Sequence, residues 1–207
     1  VKSPFLQPLV KDQLSLYIFV GVLFIVGVVF GVVMAGALTL EQQQDLTGDV
    51  EHFVKLLDAG LGPDKAASFW DRAWFHTKWM LLIWLLGLTV IGMPMLLVLD
   101  FLKGVLVGFS MGLLIGQHAW IGAFFWFISV APQNILIVPA LLIASVGGIS
   151  FAVHFIKVRL LQNSGSLTHS FAAHTLTAIG MLAVLWVAAW FEAYVSPLIM
   201  GWASRFL

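Results

Sequence analysis

The sequence predicts an all-α, polytopic membrane bundle of about five transmembrane helices, and three observations carry that reading. Hydrophobic residues make up 61% of the chain and charged residues only 10%, whereas a soluble domain carries about a quarter charged residues. Apolar runs long enough to cross roughly 30 Å of hydrocarbon recur along the chain. The stretch from Gly104 to Ile156 contains no Asp, Glu, Lys or Arg. Basic and acidic residues number 10 each, and no basic tract is present, so nucleic acid is excluded as a partner. The absence of cysteine rules out disulfides, thiolate catalysis and cysteine metal sites.

The chain reads as a single membrane domain over residues 1–207. Its spans are expected at about 14–38, 76–99, 104–131, 134–156 and 176–200, with an extracytoplasmic helical segment at 39–75. The first span is longer than a signal-peptide core. Ala35-Gly36-Ala37 resembles a cleavage site, but the length of the run favours an uncleaved anchor. Within it Gly27, Gly31 and Ala35 form a stripe of small residues.

Residues 39–75 hold most of the acids. Leu46, Val50, Phe53, Leu57 and Leu61 keep helical spacing, so 41–59 reads as an amphipathic helix ended by Gly60 and Gly62-Pro63. Asp64 then starts a short helix carrying Phe69, Trp70, Trp74 and Phe75. Such a cluster suits the headgroup level of a bilayer; as a sharper alternative, Phe69, Trp70 and Trp74 are candidates for docking a partner. In the second span Pro94 is expected to kink the helix, and Asp100 and Lys103 to pair at its boundary.

The third span is built on glycine. Gly104, Gly108, Gly112 and Gly116 recur every fourth residue and share one helical stripe. Lipid offers helices little hydrophobic reason to associate, so close packing through small residues does that work. The Gly27/Gly31 stripe is the best mate within the chain, and a homodimer is the alternative. At about 42 Å as one helix, 104–131 exceeds the bilayer core. It must tilt, break at Gln117-His118, end in an interfacial piece bearing Trp120 and Trp126, or dip in and out as a re-entrant pair. Charge placement decides: one passage keeps Lys157 and Arg159 cytoplasmic. The N-terminus is then cytoplasmic and the C-terminus outside. Residues 160–175 read as a polar cytoplasmic link, in which His169 and His174 do not share a helix face.

An acid inside a span is a functional candidate by default, and Glu192 in the last span is the clear case. Its expected partners are His118 or the Gln133 and Asn134 amides, with a structural role ahead of ion or proton transport. His118 and His154 each stand amid apolar neighbours without a ligand pattern. No nucleophile elbow, catalytic carboxylate pair or phosphate loop is present. The chain therefore reads as no enzyme, with no cofactor and no metal.

Several stretches together resemble one family. Leu16-Tyr17-Ile18-Phe19-Val20, Gly92-Met93-Pro94, Phe101-Leu102-Lys103-Gly104 continuing to Gly108-Phe109, Pro132-Gln133-Asn134, and Phe191-Glu192-Ala193 with Ser196-Pro197 are similar to the stage II sporulation protein M family. The resemblance runs from about residue 14 to 202, and the 39–75 segment carries no family motif. It implies a multi-pass protein in the mother-cell septal and engulfing membrane of a spore-forming bacterium. It further implies a non-catalytic scaffold that recruits two peptidoglycan hydrolases, stage II sporulation proteins D and P, during engulfment. The rival from another class is a permease-like subunit working with a separate ATPase, or a carrier of a small molecule or lipid. A dimerisation module holding a septal complex together is the third reading.

Overall fold

The structure, a computed structural model, describes residues 14–58, 64–159 and 167–203. These form helices throughout: α1 Leu14–Gly36, α2 Leu40–Asp58, α3 Lys65–Gly87, α4 Gly92–Ser129, α5 Ala131–Arg159, α6 Leu167–Tyr194 and α7 Ser196–Ala203. The stretches Leu14–Gly36, Gly92–Gln117, Ala131–Arg159 and Leu167–Trp202 are long and apolar enough to cross a membrane. α3 equals α1 in length at 23 residues, but Lys65, Asp71, Arg72 and Lys78 make its first half polar. The family of folds is the polytopic helical bundle that composition demands.

α1 lies against α4 with both chains running the same way. A Cβ at Gly27 would strike the Phe101 carbonyl, and one at Gly31 would come 2.7 Å from the Phe109 nitrogen. From the other side, Gly104 meets the Phe24 carbonyl and Gly108 the Val28 carbonyl, while Gly112 would place a Cβ 2.9 Å from that of Ala35. The contacts are backbone on backbone, which is why only glycine fits. Gly116 lies beyond this seam and is exposed, facing the Gln43 side chain at the start of α2. That glutamine donates from Nε2 to the Ala35 and Leu38 carbonyls at 3.2 and 3.3 Å, satisfying the end of α1. Thr39 and Gln42 then open α2 as a reciprocal capping box: the Thr39 N–H donates to Gln42 Oε1 and the Gln42 N–H to Thr39 Oγ1. Gly60, Leu61 and Gly62-Pro63, expected around the end of α2, lie outside the described residues, and of α2's apolar stripe the side chains of Val50, Phe53 and Leu57 do too.

Two span boundaries differ from those expected. Asp64 does cap a helix, its carboxylate accepting from the Ala66 and Ala67 N–H groups at 3.4 and 3.3 Å. That helix is not short. It runs on through the aromatic cluster as α3 and ends at Gly87, not near residue 99. The chain turns over Leu88–Ile91, where the Gly92 N–H donates to Thr89 Oγ1 and that hydroxyl donates to the Leu86 carbonyl, both at 3.0 Å. A Cβ at Gly92 would strike the Leu86 backbone, so the turn needs glycine there. Pro94 falls in the first turn of α4, where its missing N–H costs nothing, and it kinks no helix. Asp100 and Lys103 are therefore not at a boundary: they lie two and three turns inside α4.

The second difference is at Ala119, whose φ of 49° and ψ of −126° interrupt α4. L-residues rarely take a positive φ, and here it reverses the chain. The Trp126 Nε1–H donates to Ser110 Oγ at 3.0 Å, although the two are sixteen residues apart, so 120–129 folds back along 107–117. Leu114, Phe125 and Trp126 fill the inside of this hairpin, with Met200 of α7 packed on it. The returning segment joins α5 at Val130 and continues to Arg159. The passage expected over 104–131 thus ends at Gln117, and the return begins there instead of at residue 134. The link expected at 160–175 is helical from Leu167, which carries His169 and His174 into α6.

The seam yields a contrast. Gly108→Leu should destabilise the fold by an amount at the upper end of the roughly 1–3 kcal/mol typical of overpacking. Gly21→Ala, whose Cβ would meet nothing within 4 Å, should be neutral or gain about 0.5–1 kcal/mol from helix propensity. Thermal unfolding of both variants in one detergent measures the difference, and equal melting temperatures would contradict the backbone contact.

Candidate functional site: a polar layer inside the bundle

Arg72 and His76 sit one turn apart on the face of α3 that meets α6, because residues four apart share a helix face. Opposite them is Glu192. Its Oε2 lies 3.1 Å from His76 Nε2 and its Oε1 3.9 Å from Arg72 Nη1. The His76 and Glu192 side chains are 6% and 9% exposed, while Arg72 is 59% exposed at its outer edge. A carboxylate only accepts hydrogen bonds, so Nε2 of His76 carries the hydrogen of this pair. Glu192 therefore bonds to α3, and not to the Gln133 or Asn134 amides expected from the sequence. Asn134 instead donates from Nδ2 to the Val130 carbonyl at 2.9 Å, closing the break before α5. Gln133 is half-buried in the first turn of α5. His118 has helical backbone just before Ala119, and its side chain lies outside the described ones.

A second acid is buried more deeply. Asp100 of α4 is 3% exposed, and its Oδ1 accepts from the Ser145 hydroxyl of α5 at 2.9 Å. Its Oδ2 has no hydrogen-bond partner among the described residues. Lys103, half-buried one turn further along α4, is within electrostatic reach of Glu192. Burying a charge in an apolar medium is costly unless it is paired. Both acids accordingly face polar or cationic groups from a neighbouring helix.

His174 of α6, 3% exposed, stacks on Phe151 with ring centroids 5.8 Å apart. Its Nε2 bonds the Trp84 carbonyl at 3.3 Å, and its Nδ1 has no hydrogen-bond partner among the described residues. Gly87 and Gly148 make room for this ring: a Cβ at Gly87 would lie 2.8 Å from the imidazole. Tryptophans tie the same helices from their rims, Trp84 Nε1 donating to Thr175 Oγ1 at 3.2 Å and Trp186 Nε1 to Thr77 Oγ1 at 3.1 Å.

The docking candidates line the polar half of α3. Trp70 and Trp74 are each 62% exposed, whereas Phe69 is half-buried beside Trp70. Trp70 also packs edge-on against Trp186 at 6.4 Å, and Lys78 Nζ lies 5.6 Å over the Trp74 ring. Among the described residues no group of three or more His, Cys, Asp or Glu is placed to hold a metal ion.

Sequence reasoning missed the Asp100–Ser145 contact, the Arg72 and His76 contacts to Glu192, and the burial of His174. The signal available was Gly92-Met93-Pro94, a helix start that puts Asp100 two turns deep.

The family model for stage II sporulation protein M matches residues 20–197. No curated protein and no solved structure matches the chain.

Double-mutant cycles should separate the two contacts of Glu192. The His76–Glu192 coupling is expected at about 0.6–1.7 kcal/mol, the range of side-chain hydrogen bonds within membranes. The longer, solvent-screened Arg72–Glu192 contact should fall below about 0.5 kcal/mol. Unfolding in mixed micelles measures both, and equal couplings would refute the ranking.

Proposed function

We propose, since the chain belongs to the stage II sporulation protein M family, that it is a non-catalytic membrane scaffold that recruits and localises cell-wall hydrolases at the sporulation septum. The observation that carries this reading is the extent of the family match, which takes in the whole bundle from α1 to the start of α7. The partners follow from the same family: stage II sporulation proteins D and P, peptidoglycan-degrading enzymes that would supply the chemistry. The docking region is the polar half of α3 with α2 before it. There Trp70, Trp74 and Phe75 are exposed beside Asp71 and Arg72. Aromatic side chains with few rotamers are the usual anchors of an interface, and α3 holds these on a rigid helix continuous with the bundle. On this reading the face points out of the cytoplasm, toward the wall.

Affinity purification of the tagged protein from engulfing cells, followed by mass spectrometry, tests the reading. The two hydrolases should be enriched, and Trp74→Ala with Phe75→Ala should cut their recovery several-fold without changing helical content. Enrichment of a cytoplasmic ATPase in their place would overturn the scaffold and establish a permease-like subunit.

A further inference from the structure

The faces of the bundle can be compared height by height, because close contacts link its helices. A Cβ at Gly87 of α3 would lie 2.7 Å from the Gly148 Cα of α5 and 2.8 Å from the His174 ring of α6. A Cβ at Gly148 would lie 3.0 Å from the Leu96 side chain of α4. These four residues share one level. Eight residues above Leu96, Gly104 stands beside Gly27 of α1, a Cβ there lying 3.2 Å from the Gly27 Cα. α1, α4 and α6 rise from the shared level in chain order and α3 rises against it, since Glu192 meets His76. At 1.5 Å per residue Phe75 is about 18 Å up, the height of Gly31 on α1 and Trp186 on α6.

Around that height the helices expose different chemistry. α1 shows Val29, Phe30 and Val33, each more than half exposed. α6 shows Val187 at 58% and Trp190 at 51% exposure. The polar half of α3 instead exposes Asp71, Arg72 and Lys78 beside its aromatic residues. Lys78 is the lowest of these charges, and its Nζ lies 5.6 Å over the ring of Trp74, one turn higher. That is the course of a side chain whose stem lies on apolar surface while its charge seeks a polar layer. A charge facing hydrocarbon is costly, so α3 does not meet lipid tails where α1 and α6 do. Tilting the whole bundle would not achieve this. α6 is packed on α3, and Val187, level with Trp74, is apolar and exposed. The polar notch is confined to α3.

We propose that phospholipid headgroups fill this notch, so that the leaflet at the α2 end of the bundle dips at α3. Trp74 marks the depth that headgroups reach there. On α1 the first polar residue after the apolar run is Thr39, seven residues beyond the height of Trp74, so the dip is about 10 Å. The charges match such an occupant: lipid phosphates face Lys78 and Arg72, and the ammonium of an ethanolamine headgroup faces Asp71. Trp70 and Trp74 suit the same layer, each an apolar ring with one N–H to donate. Where an apolar surface and a bilayer differ in height, the lipid thins locally. The chain therefore deforms its own membrane on one side, an activity that does not depend on its binding hydrolases.

The chain has no cysteine, so one introduced thiol at a time reports the polarity of its surroundings. The full chain carrying Phe75→Cys, Val33→Cys or Val187→Cys is reconstituted in phosphatidylethanolamine–phosphatidylglycerol liposomes. A charged maleimide, admitted to both sides by freeze–thaw, then reacts with each. Val33 and Val187 stand higher than Phe75, so a level bilayer surface would wet them first. The dip reverses that order, and Phe75→Cys should react several-fold faster than either. Asp71→Leu with Lys78→Leu in the Phe75→Cys chain should slow its reaction several-fold, as lipid tails close over α3. Should Phe75→Cys aggregate, Asp71→Cys against Met34→Cys repeats the comparison one turn higher. Phe75→Cys reacting no faster than the two valine positions overturns the proposal, and so does an unchanged rate after the two Leu replacements. A rate that falls as protein is added relative to lipid identifies a second copy on this face, and that too overturns it. Recovery of hydrolases from cells reads the scaffold role separately, so either idea can fail without the other.

Discussion

Backbone contact between α1 and α4 is the constraint on which the rest of the bundle depends. Lipid solvates apolar side chains as well as a neighbouring helix does, so association in the membrane must come from closeness of approach and from polar contacts. Gly27, Gly31, Gly104 and Gly108 provide the closeness, each facing carbonyl or amide atoms of the other helix. α1 otherwise presents mostly lipid-facing side chains: Ile18, Phe19, Val22, Ile25, Val29 and Val33 are all more than half exposed. Its glycine face is what holds it. With α1 covering one side, α4 is fixed in rotation, and Asp100, one turn before Gly104, reaches Ser145 of α5.

The interior obeys a different rule from the seam. Where α3, α4, α5 and α6 converge, alanines and glycines again permit close contact, with Ala144, Ala188 and Ala189 at 1% exposure or less. Hydroxyls, indoles and carboxylates then make specific bonds across the narrow gaps. Close approach is what allows short side chains such as Ser145 to reach a partner at all. Small residues and buried polar groups are thus two parts of one solution, the first creating the distance that the second needs.

Class and general architecture were legible because they rest on composition and on the length of apolar runs, and neither needs tertiary information. A glycine every fourth residue is equally visible, since its meaning depends only on helical period. The errors share one cause. Charged residues were taken to mark water, so Asp100 and Lys103 set a false boundary and displaced the second and third spans. The partner of Asp100 is Ser145, far along the chain, and no local pattern records that pairing. Glu192 was expected to meet His118 or the Gln133 and Asn134 amides, while its partner His76 lies 116 residues away from it on α3. Alanine itself favours helix, so Ala119 does not mark its reversal; the polar Gln117-His118 just before it gave a break as one of several alternatives, and charge placement was allowed to choose a single passage.

The parallel seam also bears on how the protein is made. Its two halves are separated by α2 and α3, so a ribosome releases the glycines of α1 well before those of α4 exist. During that interval the α1 stripe faces lipid or the insertion machinery, shallow and unfilled. α3 and the Gly92 turn must form before α4 can lie alongside α1 in the same direction. Bundle closure therefore waits on the middle of the chain, and α1 serves first as an anchor and only later as a packing partner.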